Sequence, residues 1–161
     1  MSWNPEVTVA AVVERDGRFL MVEERIAGKL VLNQPAGHLE DGETLLEAVV
    51  REAREETAWL LRPEALVGTY LWRNPSDGRS FLRFAFTGTV ADHRANQALD
   101  TGIVRALWIS REHLLAAPAR LRSPLVMRCL EDYLLGKRQS LDTVATLGLE
   151  NARDFAAVVN L

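Results

Sequence analysis

Apolar positions along the chain fall into two periods. Val7 to Val13 is a continuous β-branched and alanine-rich run, the pattern of a strand buried on both faces. Arg15-Asp16-Gly17-Arg18 reads as a turn through its Asp-Gly pair, and Phe19 to Val22 resumes as a strand. Leu30 to Leu32 predicts another short extended piece, closed by the turn-prone Pro35-Ala36-Gly37. After Asp41-Gly42 the period changes. Leu46, Val49, Val50 and Ala53 recur at helical spacing with acidic residues between them, which predicts a helix from about Glu43 to Thr57. Asp41 or Gly42 is placed to cap it, and Glu43 early in the first turn suits the helix dipole. Arg62-Pro63 stops the helical region.

Val67 to Trp72 and Phe81 to Val90 read as a hairpin around Pro75-Ser76-Asp77-Gly78, with the 81–84 stretch alternating like a half-exposed strand. The polar stretch from Ala91 to Gly102 predicts a loop, and Ile103 to Ile109 a further strand. Ser110 is placed to cap a helix over Arg111 to Ala117, and Ser123-Pro124 opens another running to Leu135 before Gly136. From about Gln139 the pattern weakens, and a packed tail and a mobile one are both compatible with it. The order of elements predicts an α/β fold with a mixed sheet and helices on its faces.

Composition narrows the function classes. A chain of 161 residues, 48% hydrophobic and 25% charged, fits a single domain with one core over residues 1–161. The formal net charge of -3 argues against a nucleic-acid polymer as partner, and it also repels small anions. An anionic substrate therefore requires bound cations or local arginines to attract it. The lone cysteine, Cys129, lies among Leu125, Val126 and Leu130 and reads as a buried apolar thiol in a reducing, cytoplasmic setting. The N-terminal Met1-Ser2-Trp3-Asn4-Pro5-Glu6 has no basic segment leading into an apolar run, and no stretch approaches the length of a membrane span.

Chemistry concentrates on the predicted helix. Glu52, Glu55 and Glu56 project to one side of it, where their mutual repulsion is relieved by a bound cation. Oxygen ligands of this kind suit Mg²⁺ or Mn²⁺. Arg51 stands four residues before Glu55 and four after Glu47, placed to orient carboxylates, and Gly37 lets the backbone pass close to metal or phosphate. Taken alone, three glutamates on a helix are more often a solvated face. The full pattern is more specific: Gly37, five residues, Glu43, seven residues, Arg51-Glu52, two residues, Glu55-Glu56.

That spacing resembles the Nudix box, and six strict positions match. Val7-Thr8-Val9-Ala10, Val22-Glu23-Glu24, Asn33 to Glu40, Phe81 to Phe84 and Leu121 to Val126 extend the resemblance, over roughly residues 7 to 135, toward the NudJ-type branch of that family. The resemblance implies an α/β/α Nudix sandwich and hydrolysis of a phosphate anhydride. Implied substrates are nucleoside di- and triphosphates, or the pyrophosphate of the pyrimidine precursor of thiamine. It also implies Mg²⁺, with Mn²⁺ as an alternative, held by Glu52, Glu55 and Glu56. On this reading Glu52 and Glu56 are the principal ligands, Glu55 is a third ligand or a base, and a carbonyl near Gly37 contributes. Arg51 and Glu43 orient them, and Asp100 in the polar loop is the other candidate base. Two departures stand out: Ala58 where the box has glycine, and Ala53 where it has a bulky aliphatic. The first predicts a helix that ends differently or runs on toward Trp59.

Substrate contacts are proposed at Asn33 and Gln34 for a pyrimidine edge, at Tyr70 and Trp72 for stacking, and at Arg83, Arg122 and Arg25 for phosphate. For each, a structural role is the commoner one. His38 is as good a turn residue as a phosphate contact, His93 and His113 have no partners at ligand spacing, and Trp108 reads as core. The competing class is a catalytically silent Nudix-fold binding module, which would have lost a glutamate or the arginine of the box; this chain keeps them all. A bare acidic helix at a partner interface is the third reading, separated by its failure to bind Mg²⁺. The substrate is a small molecule, and the pattern fits a monomer or a homodimer.

Overall fold

The computed structural model describes residues 2–149. In chain order the elements are β1 (Glu6–Val12), β2 (Glu14–Arg15), β3 (Arg18–Ile26), β4 (Lys29–Asn33), β5 (Ala36–His38) and α1 (Leu45–Thr57). They continue with β6 (Leu60–Arg73), β7 (Ser80–Ala91), β8 (Ile103–Ser110), α2 (Arg111–Ala116) and α3 (Leu125–Leu134), with short 3₁₀ turns at Pro118–Arg120 and Leu141–Thr143.

Two sheets result. The first has the order β5-β1-β7-β6 and is mixed, because β1 and β7 run parallel while β5 and β6 add antiparallel. The second is antiparallel and centred on β3, which pairs with β8 and with β2 and β4. Alternate residues of β1 serve opposite cores, which explains its unbroken apolar run. Val9, Ala11 and Val13 join Phe86 and the α1 residues Leu46, Ala48, Val49 and Ala53. Val12 joins Ala85 of β7 and Val126, Cys129 and Leu130 of α3. The expected α/β/α sandwich is the observed fold, with α1 and α3 on opposite sides of the first sheet. Ala53 is fully packed beneath α1, where its small side chain lets the helix lie close to the sheet.

Several expectations change. Pro35-Ala36-Gly37 is not only a turn: Ala36–His38 forms β5 and pairs with Thr8, Val9 and Ala10. Strand β6 starts at Leu60 rather than Val67. Pro63 does not interrupt it, because the β6–β7 register shifts between Pro63 and Ala65, where no ladder N–H is demanded. Opposite that irregularity Gly88 must stay small, since a Cβ there would lie 2.0 Å from the Arg62 carbonyl oxygen. The 81–84 stretch, expected to alternate as a half-exposed strand, lies on β7 between β1 and β6, with Phe81, Leu82 and Phe84 half-buried and Arg83 buried. A two-residue turn through Ala27 and Gly28, both at positive φ, joins β3 to β4 and went unread in the sequence.

Helix α1 begins at Leu45, later than expected. Its cap is Thr44, not Asp41 or Gly42. The Thr44 hydroxyl accepts from the Glu47 N–H (3.1 Å), and the Glu47 carboxylate accepts from the Thr44 N–H (2.8 Å), a reciprocal capping box. That commits Glu47 to the cap, away from Arg51. The helix stops at Thr57, and Ala58 itself takes the left-handed conformation at φ 62°. An L residue there costs about 1–2 kcal/mol. Burial of the Ala58 methyl offsets about 0.8 kcal/mol of this. The Ala58 carbonyl also accepts from Arg54 Nη1 (2.7 Å) and from the Arg94 N–H (3.0 Å).

Ser110 caps α2 as expected, its hydroxyl accepting from the His113 N–H. Ser123 accepts from the Leu125 N–H at the start of α3. The beginning of the tail is packed: Gln139 bridges Leu66, and Leu141 and Val144 lie on the core. The remainder of the tail, 150–161, falls outside the described residues. No helix among the described residues is long and apolar enough to cross a membrane.

Thr44→Ala removes one half of the capping box and is expected to destabilise the fold by about 1 kcal/mol in urea unfolding, with Thr44→Ser close to wild type. Equal stability of the alanine variant would show that the box does not hold this end of α1.

Candidate active site

The sequence places Gly37 and Glu52 fifteen positions apart, and the fold brings them into contact. A Cβ on Gly37 would lie 2.1 Å from the Glu52 carboxyl carbon, so any larger residue where β5 crosses α1 would displace that carboxylate. One turn along, the Glu56 carboxylate accepts the Ala36 N–H at 3.0 Å. The first ladder strand after the Pro35 turn is thus the floor against which two of the box glutamates rest.

Arg51 sets the orientation of the rest. Its Nε and Nη2 donate to both oxygens of Glu43 (3.0 and 2.6 Å), and Nη1 donates to Glu52 Oε1 (2.8 Å) and Glu55 Oε2 (3.1 Å). Nη2 also donates to the His38 carbonyl (3.0 Å), tying the clamp to β5. The partner eight residues back, Glu43, replaces the Glu47 that helical spacing offered. Glu43 is itself held by the Glu40 N–H at 2.8 Å. Burial works to raise the Glu43 pKa, yet its hydrogen bonds to Arg51 and to the Glu40 N–H carry it below the usual carboxylate range. Arg51 is held in its charged form chiefly by Glu43.

The third contribution comes from the 92–102 loop, which is fastened to the open carbonyls at the end of α1. Gln97 donates to Arg54 O (2.6 Å), the Arg94 N–H to Ala58 O, and the Asp100 N–H to Glu55 O (3.0 Å). The last contact brings the Asp100 carboxylate to the cluster. Oxygen atoms of Glu52, Glu55 and Asp100 lie within 4.8 Å of one another.

Such crowding is unfavourable for the bare carboxylates. Burial pushes the Glu56 pKa up to about 9, with Glu52, Glu24 and Asp100 adding to the rise and the Ala36 N–H opposing it. Glu52 is also raised, mainly by burial, despite its contact with Arg51. Four converging carboxyl groups, two of them buried and with pKa values raised chiefly by that burial, fit a hard divalent cation. A bound cation would supply that counter-charge and favour the ionised ligands.

A cavity of about 590 Å³ opens beside this cluster, between the two sheets. Its lining combines Gly37 and the carboxylates of Glu24, Glu52 and Glu56 with Thr8, Asn33, Trp72, Phe81, Arg83 and Arg122. The sequence-derived substrate contacts divide accordingly. Asn33, Trp72, Arg83 and Arg122 face the cavity, as does His38, whose Nε2 meets Glu6 at 2.5 Å. Gln34 and Tyr70 do not line it. Gln34 is fully buried and donates to the Val126 carbonyl (2.7 Å), and the Tyr70 hydroxyl donates to Asp132 (2.9 Å) under α3. Arg25 is exposed and does not line the cavity. His93 stacks on Trp59, which meets Trp108 edge to face, and His113 stays at the α2 cap.

Thr8 and Phe81 were not singled out from sequence. Thr8 is the one hydroxyl inside the Val7–Val13 run, and that was the available signal. Three buried side-chain polar atoms among the described residues have no hydrogen-bond partner: Thr8 Oγ1, Asn33 Oδ1 and Arg83 Nε. Each such atom ordinarily costs about 1–3 kcal/mol, and all three belong to residues lining this one cavity.

Comparison with known proteins agrees with this geometry. The NUDIX domain family matches residues 4–128. "Phosphatase NudJ" of Escherichia coli K12 is 43% identical over 142 residues, covering 88% of this chain and 92% of that protein, and the Shigella flexneri protein of the same name matches equally. A solved NUDIX hydrolase from Nitrosomonas europaea superposes with a TM-score of 0.87 at 49% identity, covering 89% of this chain and 97% of that one. The NUDIX domain of Shewanella oneidensis NrtR, solved with ADP ribose, shares the fold alone, with a TM-score of 0.65 at 16% identity over 83% of this chain and 88% of that one. On the matched domain, the extent of identity and the intact box held in contact by the fold, this chain belongs to the Nudix hydrolase family.

Proposed function

We propose that this Nudix hydrolase cleaves phosphate anhydrides with Mg²⁺, or Mn²⁺ in its place. Its substrates are nucleoside di- or triphosphates, or a pyrimidine pyrophosphate of thiamine metabolism. The observation that carries this reading is the convergence of Glu52, Glu55 and Asp100 within 4.8 Å at one end of a cavity whose other walls present Arg83 and Arg122. The "Phosphatase NudJ" name of the 43% identical relatives supports the same class of reaction.

Glu52 and Glu56 are the principal ligands, with Glu55 and a carbonyl beside Gly37 as further donors. When bound, the metal screens the phosphate oxygens from the attacking water and makes that water more acidic. Arg51 and Glu43 do not touch substrate. They hold Glu52 and Glu55 in place, so that the ligands need not reorganise when the metal arrives. Asp100 and Glu55 are the more accessible carboxylates of the cluster and are suited to take a proton from the attacking water. Arg122, at the rim and 3.5 Å from Glu24, adds positive charge on the approach of an anionic chain whose net repulsion the protein otherwise does not offset. Asn33, Arg83 and Trp72 act on the rest of the substrate. Gln34 acts from behind by accepting from Arg83 Nη1, whereas Tyr70 bonds Asp132 of α3.

Glu52→Gln and Glu56→Gln are each expected to lower Mg²⁺-dependent phosphate release by about 100-fold while circular dichroism stays native. Wild-type-like turnover in both would overturn the ligand assignment. Gly37→Ala forces Glu52 off β5 and is expected to weaken Mg²⁺ binding in isothermal titration by about tenfold or more, again with the fold retained. Undiminished Mg²⁺ affinity in that variant would place the metal elsewhere. A wild-type protein that binds Mg²⁺ and nucleotide but releases no phosphate from any anhydride would be the silent binding module instead.

A further inference from the structure

The 92–102 loop carries Asp100 to the cluster, yet little of the loop is buried. Asp92 to Asn96, Ala98 and Asp100 are exposed, and only Gln97 and Leu99 are half-buried. A segment with so few packed side chains takes its position from hydrogen bonds rather than from a core. Two side chains, those of Arg54 and Gln97, supply bonds that join it to α1.

The box spacing sets no residue at position 54, which lies one helical turn before Ala58. Arg54 Nη1 donates to the Asp92 carbonyl (2.8 Å) as well as to Ala58 O (2.7 Å), so one nitrogen joins the start of the loop to the end of the helix. Asp92, the first residue after β7, is left-handed at φ 49°, and a strained turn of this kind persists where its surroundings hold it. The carbonyl of the same Arg54 accepts from Gln97 Nε2 (2.6 Å). Residue 54 therefore holds the loop twice, by its side chain at the entry and by its main chain at Gln97. Between these points the Arg94 N–H donates to Ala58 O, and His93 lies on Trp59 with ring centroids 4.5 Å apart. The far end closes on the second sheet, where Asp100 O accepts the Ile103 N–H (3.0 Å) and Gly102 O accepts the Arg25 N–H (2.8 Å). Asp100 is thus the last residue of the loop that bonds α1. The consecutive carbonyls of Arg54 and Glu55 take Gln97 and Asp100, and this pair sets the register of the loop on the helix.

We propose that Arg54 and Gln97 are positioning residues for Asp100. They fix the loop on α1 so that the Asp100 carboxylate meets those of Glu52 and Glu55. Neither lines the cavity. The proposal rests on the reading of Asp100 as a proton acceptor in anhydride hydrolysis, and it names what puts that acceptor in place.

Arg54→Ala keeps a good helix former and removes the tie to Asp92; Gln97→Glu keeps the shape and replaces the donor by an acceptor. The test measures kcat and KM with Mg²⁺ on whichever of ATP, GTP, CTP and UTP the wild type turns over fastest. Each variant is expected to lower kcat by about tenfold, with partial recovery in Arg54→Lys. KM, and Mg²⁺ affinity by isothermal titration, are expected to stay within about twofold of wild type. Asp100→Asn is expected to lower kcat by about 100-fold, and adding either substitution to it to lower kcat no further. Undiminished kcat in both variants overturns the proposal. So does a loss that recurs in full on top of Asp100→Asn or comes with weakened Mg²⁺ binding, which marks general damage to α1. Amide hydrogen exchange at Asp100 reads the placement without turnover. It is expected to accelerate by about tenfold or more in both variants, and wild-type protection in both overturns the proposal. Wild-type kcat in Asp100→Asn would instead sink the reading of Asp100 as acceptor, and a wild type that turns over no triphosphate would sink the anhydride reading. Faster exchange in the variants leaves the anchoring by Arg54 and Gln97 standing in either case.

Discussion

Electrostatic repulsion among carboxylates is the constraint around which this molecule is arranged. Glu43, Glu52, Glu55 and Asp100 converge with Glu56 close behind, and Arg51 alone contacts three of them. Without that guanidinium the later turns of α1 would carry uncompensated like charge on one face. Even with it, burial raises the pKa of Glu52 and of Glu56. The surplus of negative charge left by the protein alone is the physical meaning of the box: stability is set against readiness to bind a cation. The surroundings answer the same constraint, since Gly37 yields space to Glu52 and Ala36 donates its amide to Glu56.

Much of this was legible in the sequence. The continuous run from Val7 to Val13, the change of period after Gly42 and the box spacing identify the sandwich, its central helix and the glutamates on one face. What escaped the sequence were features decided by partners far along the chain. The cap at Thr44 outcompeted Asp41 and Gly42 because Glu47 completes a reciprocal box, which fixes the first turn two residues later. Pro63 entered β6 because a register shift opposite Gly88 removed the need for its missing N–H. The Glu43–Arg51 contact, eight residues apart, joins the chain before the helix to its second turn, outside the three-and-four spacing that periodicity searches.

The same limit applied to the substrate side. Asn33, Trp72, Arg83 and Arg122 were named from local cues and do meet in one cavity, whereas Gln34 and Tyr70 carried equal cues and lie behind it. Side-chain type alone does not separate the two groups. The distinction is made by α3, whose Val126 carbonyl and Asp132 carboxylate claim the polar ends of Gln34 and Tyr70. Among the described residues, Asn33 Oδ1 and Arg83 Nε have no such claimant.

The loop from 92 to 102 hangs on the last carbonyls of α1, and Asp100 takes its place from one of them, the carbonyl of Glu55. One residue therefore contributes to the cluster at both ends, through its side chain as an acid and through its backbone as the anchor of another acid. Fraying of that final turn would scatter the loop and the carboxylates in the same event, so local melting of a few residues and loss of the whole charge centre are a single transition. The left-handed Ala58, closing the helix with its own hydrogen bonds to Arg54 and Arg94, is the latch on that transition.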